Sequence, residues 1–169
     1  MSTSIRLAAP SDIPVLVGLM REFYGEANYA LESKWASDVF SALLQDSARG
    51  MVWIAFDAER PAGYAVLTFR FSMEFGGVDG FIDDLFVRSP CRRRGIGGAL
   101  LGELFSEAGR RTLLAVHVET SESNLAAVAL YATQGLQDRK RLLLTKRLTA
   151  RTESWLHDPA APPGSPDTR

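Results

Sequence analysis

The sequence predicts an α/β protein in which a mixed, mostly antiparallel central sheet of about six to seven strands carries helices on both faces. Three observations predict it. Short apolar runs alternate with segments whose apolar residues recur at helical spacing, two such runs face each other across a tight turn, and a basic, glycine-rich loop joins a strand to a long amphipathic helix. The order β, α, α, three strands, α, β, α, β excludes an all-parallel wound sheet.

Taken in order, residues 4–8 read as a short strand, and Ser11 is the expected cap of a helix with Ile13, Leu16, Val17 and Met20 on one face. A second helix is expected from Lys34 to Gln45, with Trp35, Val39, Leu43 and Leu44 inward and Gly50 closing the region. Met51 to Phe56 and Ala62 to Phe71 form a hairpin about the turn Asp57 to Pro61. The strand Phe81 to Val87 leads into the basic loop and a helix presenting Ile96, Leu100, Leu101, Leu104 and Ala108. A strand over Leu113 to Val118, a helix over Ser123 to Thr133 stopped by Gly135, and a last strand over Arg141 to Leu148 complete the expectation. Residues 1–150 are expected to form one domain. Residues 151–169 are expected to form a largely flexible tail, rich in proline from Pro159 onward, with Trp155 and Leu156 able to dock on the domain or a second subunit.

Composition narrows the function. The 169-residue chain is 46% hydrophobic and 23% charged, as in an ordinary globular domain, and has no apolar run near the roughly 20 residues of a membrane span. No secretory signal is visible, and the single cysteine, Cys91, suits a reducing compartment, so the expected location is cytoplasmic. A net charge of −1 gives no general attraction to nucleic acid or membrane, and neither is expected as a partner. His117 and His157 have no companions at metal-ligand spacing, so no metal is expected. Cys91 lacks the His or carboxylate that would make it a nucleophile.

The loop Arg92-Arg93-Arg94-Gly95-Ile96-Gly97-Gly98 opens a helix, where unpaired N–H groups and the helix dipole attract anions. Glycines let a phosphate approach the backbone, and arginines raise the local anion concentration. No Gly-Lys-Ser/Thr is present, and Leu100 stands where a dinucleotide fingerprint needs Gly or Ala, so neither of those nucleotide classes fits.

Arg92-x-x-Gly95-x-Gly97 resembles the Q/R-x-x-G-x-G/A loop of the GNAT superfamily of N-acetyltransferases. Asn124-x-x-Ala127-x-x-x-Tyr131-x-x-x-Gly135 is similar to the family's next segment, in the expected order. The resemblance runs from about Ile5 to Leu148, and Phe81-Ile-Asp-Asp-Leu-Phe-Val87 looks like the acidic strand of the polyamine-type acetyltransferases. Cys91, Arg93 and Leu136 depart from the family's usual aromatic, glycine and phenylalanine. The resemblance implies acetyl-coenzyme A as cofactor. By the same resemblance the backbone of Leu85, Phe86 and Val87 pairs with pantetheine, the N–H groups of Arg92, Arg93, Arg94, Gly95, Ile96, Gly97 and Gly98 hold the pyrophosphate, and Asn124, Ala127 and Tyr131 complete the cofactor site. A homodimer follows from family habit.

An amine attacks a thioester only when neutral. With a pKa near ~10.4, an alkylamine at pH 7 is neutral about once in a few thousand, a handicap of roughly 4 to 5 kcal/mol. Asp83 and Asp84 are candidate proton acceptors, and strict alternation would put one on each side of the sheet. Asp83 matches the position where relatives carry a glutamate proposed as base and is the first choice for that role, with Asp84 expected at the substrate, and Glu119 is a further candidate for base or substrate contact. Tyr131 is the candidate acid or hydrogen-bond donor toward the departing thiolate, and Asn124 either holds the cofactor or caps its helix. The acceptor site is expected beside Phe23, Tyr24, Glu26 and Tyr29, together with Phe71, Glu74 and Phe75. Carboxylates among aromatics suit a cationic amine. The expected activity is direct transfer of an acetyl group to a primary amine of a small cationic molecule. A protein or peptide amine acetyltransferase and a non-catalytic acyl-coenzyme A sensor are the alternatives.

Overall fold

The computed structural model describes residues 3–146 and 148. Five strands form one sheet in chain order: β1 (Thr3–Leu7), β2 (Gly50–Asp57), β3 (Arg60–Ser72), β4 (Gly77–Val87) and β5 (Val116–Val118). The first four are an antiparallel meander, and β5 lies parallel to β4. The mixed sheet agrees with the sequence, but the described residues give five strands instead of six to seven. The expected strand over Arg141 to Leu148 is corrected: residues 141–146 have no regular structure, and Leu142 and Leu144 are 89% and 86% exposed. Its apolar composition resembled a strand, yet the short outer strand β5 pairs only with β4 among the described residues. The expected tail, with Trp155, Leu156 and the segment from Pro159, lies outside the described residues.

Four helices cover the sheet: α1 (Ile13–Glu26), α2 (Ser33–Leu44), α3 (Ile96–Arg110) and α4 (Leu125–Thr133). On one face Leu16, Leu19 and Phe40 of α1 and α2 pack against Ile54, Tyr64 and Phe86. On the other, Leu100, Leu101 and Leu104 of α3 and Tyr131 of α4 pack against Trp53, Leu67 and Ile82. The three α3 leucines are fully buried, each contributing roughly 1.5–3 kcal/mol of apolar transfer.

Two local expectations change. Asp12, not Ser11, fixes the start of α1: its carboxylate accepts the Ala9 N–H at 2.8 Å and grips Arg6 at 2.7 and 2.8 Å, closing a tight turn over Pro10–Asp12. In α2 the Glu32 carboxylate caps Lys34 and Trp35, and the helix buries Ala36 and Phe40 while Val39 stays exposed. The hairpin forms as expected, but Ala58 and Glu59 both take positive φ, 45° and 67°, as a two-residue turn between strands of right-handed twist requires.

Candidate active site

The site is built on a fault in β4. The ladder with β3 pairs Val66 with Asp84 and then Leu67 with Ile82, leaving Asp83 as an extra residue, a β-bulge. The bulge breaks the alternation the sequence implied. Ile82 packs on the α3 face and Phe86 on the α1 face, so the strand changes parity between them, and the two aspartates share the α1 side. Both carboxylates act electrostatically on Tyr24 and Tyr64, which belong to that side. The expectation of one aspartate on each face is therefore corrected.

Asp84 is half-buried and accepts a 2.7 Å hydrogen bond from the Tyr64 hydroxyl. Desolvation pushes its carboxyl up to about 6; the Tyr64 bond opposes this and the neighbouring Asp83 charge adds to it. Asp83 is more exposed, and desolvation also raises its carboxyl. Burial, reinforced by the Asp84 charge, lifts the Tyr64 and Tyr24 hydroxyls. Phe23, Tyr24, Ala27, Tyr29 and Asp84 line a cleft of about 220 Å³. Phe23 stacks on Phe86 at 5.4 Å, anchoring the end of α1 to β4.

The far edge of β4 is open where the site needs it. Arg88 N–H donates to Ala62 O at 2.8 Å, so alternation along the ladder bonds Phe86 to Tyr64 and turns the N–H and C=O groups of Leu85 and Val87 to the other edge. There β5 reaches only Gly80, Phe81 and Ile82. Of the three residues expected to pair with pantetheine, Leu85 and Val87 face the open edge. Phe86 is corrected: its backbone faces β3, and its contribution is a buried ring.

Beyond β4, Arg93 has φ 60° and Gly95 φ 81°, a conformation L residues resist and glycine adopts freely. The first intrahelical bond of α3 runs from Ala99 N–H to Gly95 O, so the N–H groups of Ile96, Gly97 and Gly98 point out of the helix start, and those of Arg93 and Gly95 just before it carry no hydrogen bond among the described residues. A Cβ on Gly97 would stand 3.1 Å from Leu130, so this turn sits tightly against α4. Arg92 is corrected within the amide run, because its N–H already donates to Ser89 O. Its side chain donates to Val87 O and bridges Glu26. Arg94 bridges Asp57 at 2.7 and 2.9 Å, and Arg88 bridges Glu22.

Tyr131 is buried in the cluster between the sheet and α3, its hydroxyl pushed up to about 12 by desolvation and by the Asp84 charge. None of the described residues hydrogen-bonds that hydroxyl, so it is available to a ligand. Asn124 caps α4, its Oδ1 accepting from Ala127 N at 3.2 Å. Glu119 is exposed just past β5. Phe71 is also exposed, Glu74 pairs with Arg141, and Phe75 packs on His117. Sequence reasoning missed Tyr64, whose contact with Asp84 needs the strand register, and the fully buried Asp79. Burial pushes the Asp79 carboxyl up, but bonds from Arg70 at 2.7 and 3.2 Å more than reverse that, and His117 lies 3.1 Å away. Among the described residues no group of three or more His, Cys, Asp or Glu could hold a metal ion, and no helix is long and apolar enough to cross a membrane.

Residues 17–136 match the acetyltransferase (GNAT) family, and the chain belongs to it. The chain is also similar to the crystal structure of an integron cassette protein from the mobile metagenome of Cole Harbour Salt Marsh: 39% identity over 86% of this chain and 90% of that one, TM-score 0.80. A predicted acetyltransferase with acetyl-CoA from Clostridium acetobutylicum shares the fold at 20% identity, TM-score 0.73, over 86% of this chain and 96% of that one. An aminoglycoside acetyltransferase from an uncultured soil metagenomic sample, in complex with trehalose, does so at 18% identity, TM-score 0.73, over 87% and 96%. No curated protein matches. The protein is an N-acetyltransferase that uses acetyl-coenzyme A. The structure fits that cofactor: an open β4 edge offers amide and carbonyl groups to an extended chain, and the α3 turn offers a cluster of N–H groups to an anion.

Proposed function

We propose that this acetyltransferase acts on a primary amine of a small cationic molecule, and that Asp84 takes the proton the amine must lose. The observation that carries this reading is the pair of aspartates brought to one face by the bulge, with Asp84 in a cleft lined by Phe23, Tyr24 and Tyr29. A carboxyl held near 6 is ionised at neutral pH, yet accepts a proton far better than an ordinary aspartate. Asp83, the position matching the relatives' glutamate, adds negative charge that favours an ammonium ion and strengthens the proton affinity of Asp84. A cleft of about 220 Å³, below the usual range for drug-sized ligands, suits a compact acceptor.

Acetyl-coenzyme A supplies an acyl thioester open to a neutral amine. Toward it, Leu85 and Val87 offer backbone pairing, and the N–H groups of Arg93, Gly95, Ile96, Gly97 and Gly98 offer a diphosphate site. Tyr131 holds a proton at its hydroxyl where negative charge leaves. A tyrosine more basic than a thiol transfers that proton uphill, so hydrogen bonding is its main contribution. Asn124 and Ala127 keep α4 in register beside this edge. Family habit adds a homodimer, measurable by light scattering.

The test is a panel of polyamines, aminoglycosides, arylalkylamines and peptides with acetyl-coenzyme A, read by thiol release and product mass. Acetylation of a small cationic amine supports the proposal. Activity confined to peptides overturns the small-amine reading, and binding without turnover favours a sensor.

A further inference from the structure

The sequence places Glu26 with the acceptor and Arg92 with the cofactor, but the fold joins them. Arg92 Nη2 lies 2.6 Å from both Glu26 oxygens, while its Nε donates to Val87 O at 2.7 Å. The guanidinium lies 5.8 Å from the Phe86 ring centre, over the residue that anchors α1 to β4. Each contact has a consequence. The Val87 carbonyl belongs to the open edge of β4, so the Arg92 Nε–H occupies an acceptor that a chain paired along that edge would use. Glu26 ends α1 immediately before Ala27, which lines the acceptor cleft with Tyr24 and Tyr29. The ion pair neutralises a carboxylate one residue from the lining of a cleft that carries Asp84, with Asp83 beside it on β4.

The pair is also readily exchanged. The two side chains are 42% and 45% exposed, so water competes with the contact and its net strength is small. The neighbouring loop arginines are held differently. Arg88 is fixed by both Glu22 and Pro61 O, and Arg94 bridges Asp57, whose side chain is only 17% exposed. Those three contacts tie the loop to α1, β3 and β2 without touching the open edge.

Building on the acetyltransferase reading, we propose that Glu26 and Arg92 form a positioning pair that couples the donor and acceptor sites. Pairing along the β4 edge displaces Arg92 from the Val87 carbonyl and so from Glu26. The released Glu26 carboxylate then attracts the cationic acceptor into the adjacent cleft. Linkage makes the effect reciprocal: each ligand strengthens binding of the other by the same factor.

Calorimetry of the full chain with coenzyme A, for the unmutated protein and Glu26→Gln, tests the pair without turnover. Glutamine keeps the size of the side chain but loosens its hold on Arg92, so coenzyme A should bind up to about fivefold tighter, the scale of an exposed ion pair. The same substitution should raise KM for the best amine of the panel by a similar factor. It should also abolish the ability of saturating coenzyme A to tighten amine binding. Unchanged or weaker coenzyme A binding in Glu26→Gln, with an unaltered circular dichroism spectrum, overturns the coupling. So does equal amine affinity with and without coenzyme A in the unmutated protein. Failure of the unmutated protein to bind coenzyme A at all overturns the acetyltransferase reading as well, which separates the two outcomes.

Discussion

Replacing Asp84 by asparagine should stabilise the fold while removing the acid limb of the activity profile. In the unfolded chain the carboxyl ionises near 3.8, and in the folded site near 6. The folded state therefore holds its proton more tightly, and stability falls as pH rises through that interval. Below about pH 3.8 the penalty is absent, and above about 6 it is complete. A difference of about two pKa units is worth about 3 kcal/mol at neutral pH, at 1.36 kcal/mol per unit. Asparagine carries no charge and its carbonyl can still accept the Tyr64 hydroxyl hydrogen bond, so most of that penalty should disappear. For a domain of this size the gain corresponds to a rise in Tm of roughly 6–12 °C at pH 7.5, shrinking to about half at pH 5. Thermal unfolding of both proteins at the two pH values, followed by circular dichroism, measures it. A variant no more stable than the parent at pH 7.5, or a gain that does not depend on pH, refutes the reasoning.

Other predictions follow from neighbouring contacts. Tyr64→Phe removes the hydrogen bond that opposes the rise in the Asp84 pKa, so the acid limb of kcat/KM, centred near 6 in the parent, should move to higher pH in a pH–rate profile. Tyr131→Phe should lower kcat by about 10²-fold, with little change in melting temperature, because no described residue bonds its hydroxyl. Ala58→Asn combined with Glu59→Gly places turn-compatible residues at two positive φ values and should add about 1–2 kcal/mol to unfolding stability in urea titrations.

Much of this molecule was legible in its residues, for identifiable reasons. The helical spacing of Ile96, Leu100, Leu101, Leu104 and Ala108 foretold the buried face of α3, because packing on a sheet demands that period. Gly135 ended α4 as expected, with φ 83°. The bulge was not legible. Alternation assigns Asp83 and Asp84 to opposite faces, and only the register against Val66 and Leu67 shows an extra residue that brings them together. Tyr64 is likewise 20 residues from its partner, a separation that local pattern cannot bridge. The arginines of the loop read as a uniform anionic attraction, but the fold gives Arg88, Arg92 and Arg94 separate carboxylates on α1 and β2. The run Leu142-Leu143-Leu144 shows the opposite failure. Its composition satisfies a strand, yet strand formation needs a paired ladder, and residues 141–146 pair with none of the described strands.

The central claim is that the α3 turn and the open edge of β4 together hold acetyl-coenzyme A. Amide-resolved NMR titration of the isotope-labelled chain with coenzyme A addresses it directly. The largest saturable shifts should fall on Arg93, Gly95, Ile96, Gly97 and Gly98 and on Leu85 and Val87, with Phe86 responding less because its amide stays bonded to β3. Shifts confined to another surface, or no saturable change at any of these amides, would contradict the account.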